Sequence, residues 1–401
     1  MSISPAAAAQ RAGTEPMRQV LDVLRARGAV TRAEIGDATG LSRTTVSALL
    51  ADLRRRGLLD DVRDRDALPT GGRPATFVAL GTSAGLAVGV DLGRRHLRVV
   101  VCDLGHRVVA ERIRRFDVDG RADEALDAAT EIVSGLVHGL GSTVGDVLGI
   151  GLGIPAPLDA GGSVGSSNIL PGWVGRSPAT DLCRRIGAPV TAENDANLGA
   201  LAEALWGAGR GHRHVVYVKA ATGIGAGIVV DGRLYRGASG TAGEIGHTTV
   251  SDDGAVCRCG NRGCLELLAG GRALVAQLGP GGHTVRDLGD LVARARAGDP
   301  GCRRVLADAG ETIGLAMANL VNLLNPEIII FGGELGGAGQ LVLASLRARV
   351  TRSAVAPAAG AVQVVPAMLG DRAEALGAAL LVLREPTRAG DPLLTRVAVA
   401  S

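Results

Sequence analysis

One histidine and three cysteines have the spacing of metal ligands. His247 is followed by Cys257, Cys259 and Cys264, and the cysteines are too crowded to be interpreted as a disulfide framework. Three thiolates and one imidazole complete a tetrahedral zinc shell with no open position, which is the arrangement of a structural site. Reduced cysteines that share a loop without any metal are the alternative. The sequence therefore predicts a structural Zn²⁺ ion held by these four side chains.

A second group of residues offers carboxylates and an amide to a polar ligand. Asn194 and Asp195 stand side by side in the chain, and Glu244 and Glu266 flank the metal ligands. Carboxylates and amides are the groups with which a pocket pairs a ring of hydroxyls. Asp195 also precedes an Ala- and Leu-rich helical stretch, so it can equally be a helix cap, and the two roles are compatible.

A third group lies near the N-terminus, where side chains suited to DNA cluster on a predicted helix. The candidate DNA contacts are Ser42, Arg43, Thr44, Thr45 and Ser47, with Arg73 from a later loop. Small and hydroxylated side chains let a helix enter the major groove closely, and an arginine beside them can reach a phosphate or a guanine. Arg73, between a glycine and a proline, is placed to enter a minor groove. A helical dimerisation module with a solvated face is the alternative.

The elements around these residues predict a winged helix-turn-helix over residues 17–81. A first helix ends near Gly28, and the capping box of Thr31 and Glu34 opens a second helix. Ser42 caps a third helix, on which apolar residues recur at helical spacing. Its apolar face consists of Val46, Leu49, Leu50 and Leu53. Two short strands joined by a polar loop follow and form the wing.

After residue 85 the pattern becomes that of a larger α/β domain. Three short strands with tight turns predict a meander over residues 86–116, and the same theme recurs over residues 215–235. A buried strand follows each meander, at residues 149–154 and 327–331. The repetition predicts a duplicated α/β unit, which is two lobes with a cleft between them.

Composition limits the possible functions. Hydrophobic residues make up 46% of the 401 residues, so the chain can bury a large core, and its formal net charge is only +3. Residues 1–80 contain twelve arginines and nine acidic residues, whereas Lys219 is the only lysine of the chain. Any binding to nucleic acid must therefore come from a local surface. Because no apolar run reaches membrane-spanning length and no secretory signal is recognisable, we expect a cytoplasmic protein without a membrane partner.

Several of these segments resemble the ROK family (repressor, open reading frame, kinase). Leu41 to Ser47 is similar to the recognition helix of its repressors. Glu193 to Asn197 and the stretch from Glu244 to Glu266 are similar to its sugar-binding and zinc-binding motifs. The resemblance covers nearly all of residues 85–384 and implies an actin-like, sugar-kinase-like fold.

The resemblance also implies roles for individual residues. It assigns sugar contacts to Asn194, Asp195, Glu244, His247 and Glu266. In the family's kinases the residue that matches Asp195 is the general base, and the histidine touches the sugar through its other ring nitrogen. Zinc would then influence sugar affinity, because it fixes the direction of the ring. Residues 167–173 resemble the family's sugar-side loop, in which Trp173 is expected either to flank a sugar or to be a core residue.

The nucleotide motifs are where the chain departs from the kinases. A ROK kinase begins with Asp-x-Gly-Gly-Thr-Lys, whereas this chain retains Asp91 and Gly93 and then has Arg94, Arg95 and His96. The second phosphate loop is closer to the family pattern and retains Thr222, Gly223 and Gly225. Phosphoryl transfer depends almost wholly on positioning the phosphates, so loss of the first loop predicts sugar binding without kinase activity. Arginine can itself bind phosphate, which leaves ATP binding open.

The predicted architecture is a winged helix-turn-helix (α+β) over residues 17–81, followed by a two-lobed α/β ROK domain over residues 85–384. Residues 1–16 are expected to be disordered, and residues 385–401 form a tail of unassigned structure.

The predicted function is that of a sugar-responsive DNA-binding transcriptional regulator, a repressor of carbohydrate uptake or catabolism genes. We expect a pseudo-palindromic operator, a homodimer or dimer of dimers, and a small sugar or sugar phosphate as effector. The alternative is an ATP-dependent, glucokinase-like ROK sugar kinase with an added DNA-binding domain, which Asp195 and the second phosphate loop support. A purely structural metalloprotein would leave the polar residues of the cleft without a purpose.

Overall fold

The computed structural model describes residues 5–62, 76–159, 161–165, 170–279 and 284–387, together with Leu393, Leu394 and Val397. It begins with three helices, α1 (Pro5–Arg27), α2 (Arg32–Thr39) and α3 (Arg43–Arg55). Helix α1 starts at Pro5, although the sequence predicted disorder up to residue 16. Alanine has the highest helix propensity of all residues, so an Ala-rich run can extend a helix without any amphipathic period.

The boundaries of α2 and α3 confirm the local signals in the sequence. The Thr31 side chain accepts from the backbone N–H of Glu34, and the Glu34 carboxylate accepts from the backbone N–H of Thr31 at 2.7 Å. Gly40 ends α2 in the left-handed conformation, with a φ of 70°, and Ser42 caps α3. Because caps are interactions within a few residues, they can be predicted without knowledge of the rest of the fold.

Three short strands complete the N-terminal module. Strands β1 (Val30–Thr31), β2 (Leu59–Val62) and β3 (Phe77–Leu80) form an antiparallel sheet in the order β1-β3-β2. The β2–β3 pair provides the two strands predicted for the wing. Strand β1 has no signal in the sequence, because two residues between helices show no periodicity. The loop of the wing, residues 63–75 with Arg73, lies outside the described residues.

The first lobe of the larger domain is built on a five-stranded sheet. Its strands are β4 (Leu86–Gly93), β5 (His96–Asp103), β6 (Val108–Arg115), β7 (Val147–Ile154) and β8 (Val190–Asn194). Their order is β6-β5-β4-β7-β8, in which β4 to β6 are antiparallel and β7 and β8 run parallel to β4. Every residue of β4 and β7 is buried, as expected for central strands covered on both faces. Helices α4 (Ala122–Gly139) and α5 (Pro178–Ile186) pack on this sheet.

The second lobe repeats this plan. Its strands are β9 (Val215–Ala220), β10 (Ile224–Val230), β11 (Arg233–Leu234), β12 (Ile328–Gly332) and β13 (Gln363–Pro366). Their order is β11-β10-β9-β12-β13, again an antiparallel meander followed by two parallel strands, which confirms the predicted duplication. The remaining helices are α6 (Asp195–Trp206), α7 (Leu265–Ala269), α8 (Gly271–Leu278), α9 (Leu288–Arg296), α10 (Pro300–Leu324), α11 (Gln340–Ser353), α12 (Ala356–Ala361) and α13 (Ala373–Leu383). None of the described helices is long and apolar enough to span a membrane.

Helices α6 and α13 lie between the two sheets and pack against each other. Helix α13 contacts β4 and β7 of the first sheet, and α6 contacts β9 and β10 of the second. Glycine permits these close approaches: a Cβ atom at Gly89 or Gly151 would collide with the α13 backbone, and one at Gly377 would collide with the backbone of Leu198 in α6. The N-terminus of α6 is thereby held where the two lobes meet.

The N-terminal module packs against the two-lobed domain through a shared hydrophobic core. Leu21 of α1 belongs to the same buried cluster as Leu201 of α6 and Leu393 of the C-terminal tail. The Arg25 guanidinium also donates to the Val382 carbonyl at the end of α13, at 3.0 Å. The boundary near residue 81 therefore separates two modules that are in extensive contact.

Candidate functional site

The four predicted metal ligands converge. The ligand atoms of His247, Cys257, Cys259 and Cys264 all lie within 4.8 Å of one another. Cys257 Sγ is 3.7 Å from His247 Nδ1, and Cys259 Sγ is 3.7 Å from Cys264 Sγ. A tetrahedral Zn²⁺ ion with Zn–S bonds of about 2.3 Å separates its sulfur ligands by about 3.8 Å, so the donor set and its spacing fit zinc. The predicted cluster is therefore confirmed as a metal-binding group.

Local structure brings these ligands together. His247 ends the short 3-10 turn Ile245–His247, and Cys264 is the N-cap residue of α7. Between them, an antiparallel bridge pairs Thr249 with Cys264, and a second bridge pairs Val256 with Arg262. The loop is folded back on itself, so that its two ends meet at the ligand cluster.

A cleft of about 670 Å³ lies between the two lobes. It is lined by the five residues to which the ROK resemblance assigns sugar contacts and by most of the predicted phosphate-loop residues. These are Asn194, Asp195, Glu244, His247, Glu266, Gly93, Thr222, Gly223 and Gly225. Asp91 differs from them, because its side chain is fully buried.

The metal loop also positions two of the cleft carboxylates. Arg258, which lies between two of the cysteines, donates to Glu266 Oε1 at 2.7 Å, and Glu266 Oε2 accepts from the Ile224 backbone N–H at 3.2 Å. His247 has Nδ1 on the side of the cysteines and Nε2 3.9 Å from Glu244 Oε2. One imidazole thus links the metal cluster to the polar wall of the cleft.

Glu244 is poised between its two protonation states. Burial, together with the negative charges of Asp195 and Glu266, raises the pKa of Glu244 to about 7. Near neutral pH its carboxyl group can therefore either donate or accept a hydrogen bond, which suits a hydroxyl that does both.

Asn194, rather than Asp195, caps α6. Its Oδ1 accepts from the backbone N–H of Ala196 at 2.9 Å and from that of Asn197 at 3.3 Å, and its Nδ2 donates to the Ala156 carbonyl at 3.3 Å. Asp195 is the first residue inside the helix, and its Oδ1 also accepts from the Ala196 N–H, at 2.8 Å. The cap considered for Asp195 is thus provided by its neighbour, and Oδ2 of Asp195 is left to face other groups.

Lys219, whose role the sequence analysis did not foresee, occupies the position beside Asp195. Lys219 Nζ is 2.9 Å from Asp195 Oδ2 and 3.2 Å from Glu374 Oε1, and none of these three side chains is more than 15% exposed. Burial opposes the charge of Lys219, but the carboxylates of Asp195, Glu374 and Asp91 raise its pKa well above the ordinary value. A single lysine among arginines was the available signal, although its partners lie far away in the sequence.

The turn between β4 and β5 stands where the kinases have their first phosphate loop. Arg94 and Arg95 project from this turn and line the cleft. His96 Nε2 lies 2.7 Å from Asp91 Oδ2, and its ring fills the space beside Gly93 that a Cβ atom would need. Burial opposes protonation of His96, but the hydrogen bond to Asp91 and its charge raise the pKa of the imidazole. Asp91, the acidic residue that this chain retains from the kinase motif, is therefore already hydrogen-bonded to His96.

Trp173 is a core residue. It is fully buried, and its indole Nε1 donates to the Val118 carbonyl at 2.8 Å. Of the two expectations for this side chain, the core position holds and the role of flanking a sugar does not. Residues 166–169 of the same loop lie outside the described residues.

The start of α3 presents the predicted DNA contacts to solvent. Ser42, Arg43, Thr44 and Ser47 are exposed and Thr45 is half-buried, whereas the opposite face of the helix is buried. Ser42 Oγ accepts from the Thr45 backbone N–H at 3.1 Å, so this hydroxyl is committed to its own helix. The side chain of Arg43 makes no hydrogen bond or ion pair with any described residue and is available to a phosphate or a base.

These features define a class of protein: a winged helix-turn-helix on a two-lobed α/β domain, with a cysteine–histidine cluster beside the interlobe cleft. Residues 87–385 match the ROK family model, and residues 18–67 match the MarR family model. The chain belongs to the ROK family and has a MarR-like helix-turn-helix at its N-terminus.

Comparison with individual proteins distinguishes the branches of the family. The xylose repressor of Bacillus subtilis is 28% identical over 357 residues, which cover 88% of this chain and 91% of the repressor. The glucokinase of Thermotoga maritima is 35% identical over 236 residues, which cover 55% of this chain and 74% of the kinase. The repressor thus matches most of the chain, whereas the kinase matches only about half of it.

Solved structures show the same division. The crystal structure of a ROK family transcriptional regulator, a homologue of the E. coli MLC protein, has a TM-score of 0.73 at 25% identity and covers 96% of this chain and 99% of its own. A ROK family glucokinase from Streptomyces griseus, in complex with glucose and AMPPNP, has a TM-score of 0.66 at 31% identity and covers 74% of this chain and 99% of its own. The protein is accordingly a xylose-repressor-like ROK transcriptional regulator with a DNA-binding helix-turn-helix and a cysteine–histidine metal-binding group.

Proposed function

We propose that this protein is a cytoplasmic repressor of carbohydrate uptake or catabolism genes whose affinity for DNA changes when a sugar binds in the interlobe cleft. The observation that carries the proposal is the position of α6. This helix begins with a cleft carboxylate at Asp195 and ends at Trp206, which donates to His106 of the first lobe and packs against the buried cluster that includes Leu21 of α1.

The cleft has the chemistry that a sugar requires. The carboxylates of Glu244 and Glu266 and the amide of Asn194 line one cavity with Asp195. These carboxylates and the amide supply the acceptors that a ring of hydroxyls needs, and the protonated form of Glu244 supplies a donor. Zn²⁺ in the cysteine–histidine cluster would fix the direction of the His247 ring, whose second nitrogen points to Glu244.

A short series of contacts connects this site with the helix-turn-helix. The Trp206 indole N–H donates to His106 Nδ1 at 3.3 Å, so the His106 proton is assigned to Nε2. That nitrogen lies 2.8 Å from the Arg25 carbonyl near the end of α1, to which it donates. A sugar that draws the two lobes together around Asp195 would move α6, and α6 would move α1 through these side chains.

Such coupling requires the sugar to bind one arrangement of the lobes more tightly than the other. Two N-terminal modules in a homodimer, or in a dimer of dimers, would place their α3 helices on the half-sites of a pseudo-palindromic operator. A change in the relative position of these modules alters the match to half-site spacing. Repression relieved by sugar is the sign we propose, in keeping with the repressor relatives.

The β4–β5 turn favours a sensor over a kinase, because it presents Arg94 and Arg95 instead of a close glycine turn. Asp195 is compatible with both functions: Oδ2 is hydrogen-bonded to Lys219 and Oδ1 to the Ala196 N–H, but each carboxylate oxygen has a second lone pair for a hydroxyl. A glucokinase-like activity is the second candidate, supported by Asp195 itself and by the second phosphate loop.

Thermal stability separates the two candidates. The zinc-loaded protein is heated with glucose, xylose, N-acetylglucosamine and their phosphates, each with and without MgATP. A saturable rise in the midpoint with one sugar class and none with nucleotide is the expected result. A rise with MgATP that increases further with sugar, together with sugar-dependent ADP release lost in Asp195→Asn, would favour the kinase.

A further inference from the structure

A second cavity adjoins the cleft, and its lining is strongly basic. It has a volume of about 610 Å³ and shares Arg94, Arg95, Arg115 and Thr222 with the cleft. Its charged lining residues are six arginines and two aspartates, namely Arg94, Arg95, Arg114, Arg115, Arg121, Arg272, Asp117 and Asp119. Such an excess of guanidinium groups around one cavity is unusual in a chain whose formal net charge is +3.

Two of the six arginines pair with glutamates outside the lining, Arg114 with Glu131 at 3.3 Å and Arg121 with Glu124 at 3.6 Å, and the aspartates of the lining compensate the others only in part. Asp119 Oδ2 lies 3.8 Å from a guanidinium nitrogen of Arg94 and 3.9 Å from one of Arg272, so one carboxylate faces two arginines at the limit of ion-pair distance. The side chains of Arg95 and Arg115 make no hydrogen bond or ion pair with the described part of the chain. These two arginines have donors available in the direction of the cleft.

Arg94 shows the electrostatic cost of this arrangement. Only 11% of its side chain is exposed. Burial, followed by the positive charge of Arg258, lowers the pKa of Arg94; the carboxylates of Asp119 and Glu266 oppose this shift, and Arg272 adds to it. A cluster of like charges around a partly buried guanidinium is destabilising by itself, and an anion placed among them would relieve the repulsion.

We propose that the effector is a phosphorylated sugar, whose ring occupies the cleft beside Asp195 and Glu244 and whose phosphate is held by Arg95 and Arg115, with Arg94 behind them. This inference rests on the proposed function for the sugar half of the ligand and adds the anionic half. Arginine forms paired, charge-assisted hydrogen bonds with phosphate oxygens, which is why guanidinium groups recur at phosphate sites.

A sugar phosphate fits this surface better than a nucleotide does. The wall of the cleft contributed by the second lobe carries Asp287 and Glu334, which would repel a polyphosphate laid across it. Burial, followed by the charge of Asp287, raises the pKa of Glu334, and the charge of Arg95 opposes this shift. Arg94, Arg95 and Arg115 lie on the first lobe, whereas Arg272 belongs to the second, so a single phosphate on a sugar can meet the first three without crossing the acidic wall.

Titration calorimetry of the zinc-loaded full chain tests the proposal. The ligands are glucose, xylose and N-acetylglucosamine, the phosphate esters of each, inorganic phosphate alone, and MgATP. We expect one phosphate ester to bind at least about tenfold more tightly than its neutral parent sugar. We expect inorganic phosphate alone to bind far more weakly than that ester.

Two variants distinguish the arginine site from general surface charge. The double variant Arg95→Ala, Arg115→Ala is expected to bind the ester and the parent sugar with the same affinity. Arg112→Ala is the matched control, because Arg112 is an exposed residue of the same strand β6 and lines neither cavity, and it should retain the preference. The double variant and the control Arg112→Ala both make the net charge of the protein less positive.

Several results would overturn the inference. Equal affinity for ester and parent sugar in the wild-type protein would do so, as would a preference that survives in the double variant. If inorganic phosphate binds as tightly as the ester, the cavity is an adventitious anion site only. If MgATP binds in an arginine-dependent way and the ester does not bind, the cavity is a nucleotide site. If the phosphate site is refuted but a neutral sugar binds and alters DNA affinity, the proposed function still stands. If the chain binds no sugar in any form, the proposed function and the phosphate site are both refuted.

Discussion

Replacing Lys219 with methionine removes the one positive charge between Asp195 and Glu374. The side chains of these two acids are only 12% and 5% exposed, so solvent screens them little. Removing one partner of a buried ion pair leaves an uncompensated charge and costs about 3–5 kcal/mol. Lys219→Met is therefore expected to destabilise the two-lobed domain by that amount at neutral pH.

The loss of stability should depend on pH. Burial raises the pKa of Glu374 even in the presence of Lys219, and the charges of Asp91 and Asp195 raise it further. Without the lysine, the pKa of Glu374 rises further. When the pKa of a carboxyl group is higher in the folded than in the unfolded protein, the folded protein loses stability as the pH rises through the folded pKa. Lys219→Met should therefore be most destabilised near pH 8 and less so near pH 5, because a raised pKa brings Glu374 closer to its neutral form at the lower pH. Tyr217, which also faces Glu374, stays neutral in this range because burial and the charge of Glu374 raise its pKa.

Differential scanning calorimetry measures both effects. At about 2 °C per kcal/mol for a domain of this size, the midpoint should fall by about 6–10 °C at pH 8 and by clearly less at pH 5. Lys219→Arg retains the charge and serves as the control, with a smaller loss that depends little on pH. A midpoint for Lys219→Met equal to that of the wild type, or a loss that is the same at both pH values, would refute the electrostatic account of this cluster.

Three further changes test other parts of the site. Cys259→Ser should lose its metal, as measured by elemental analysis, and should bind sugar more weakly while the N-terminal module stays folded; unchanged sugar affinity in the metal-free variant would count against the link through His247. Trp206→Phe should retain sugar affinity but reduce the effect of sugar on DNA binding, since the indole can no longer donate to His106, and an undiminished sugar effect would exclude this contact from the coupling. Arg43→Ala or Arg73→Ala should weaken DNA binding without changing sugar affinity, and loss of a phosphate contact should lower the slope of log affinity against log salt by about one. If DNA affinity is unaltered in either variant, that residue is not a DNA contact.

The sequence predicts best those features that depend on neighbouring residues. The capping box of Thr31 and Glu34 and the cap at Ser42 are interactions over three residues, and each lies where the sequence places it. The metal ligands were equally predictable, because three of the four lie in one short loop and zinc restricts the donor types. The alternation of meanders and buried strands was sufficient to identify two similar lobes.

Features that depend on distant parts of the chain could not be predicted. Lys219 meets Glu374 only because α13 returns between the two sheets, and no local pattern reports that pairing. The basic cavity is similar, since Arg94 comes from the turn between β4 and β5, Arg115 from the end of β6, and Arg272 from the second lobe. The contact of His106 with the Arg25 carbonyl likewise joins two modules whose sequence patterns are independent of each other.

The most direct test of the account is the affinity of the full chain for operator DNA with and without a saturating sugar or sugar phosphate. Operator duplexes are first obtained by selection from random DNA with the zinc-loaded protein, and binding is followed by fluorescence anisotropy at fixed salt concentration. The account predicts that one sugar class lowers DNA affinity by about 5-fold to 150-fold, the usual range of coupling between two binding sites. DNA affinity that stays the same with every saturating sugar and sugar phosphate would contradict it.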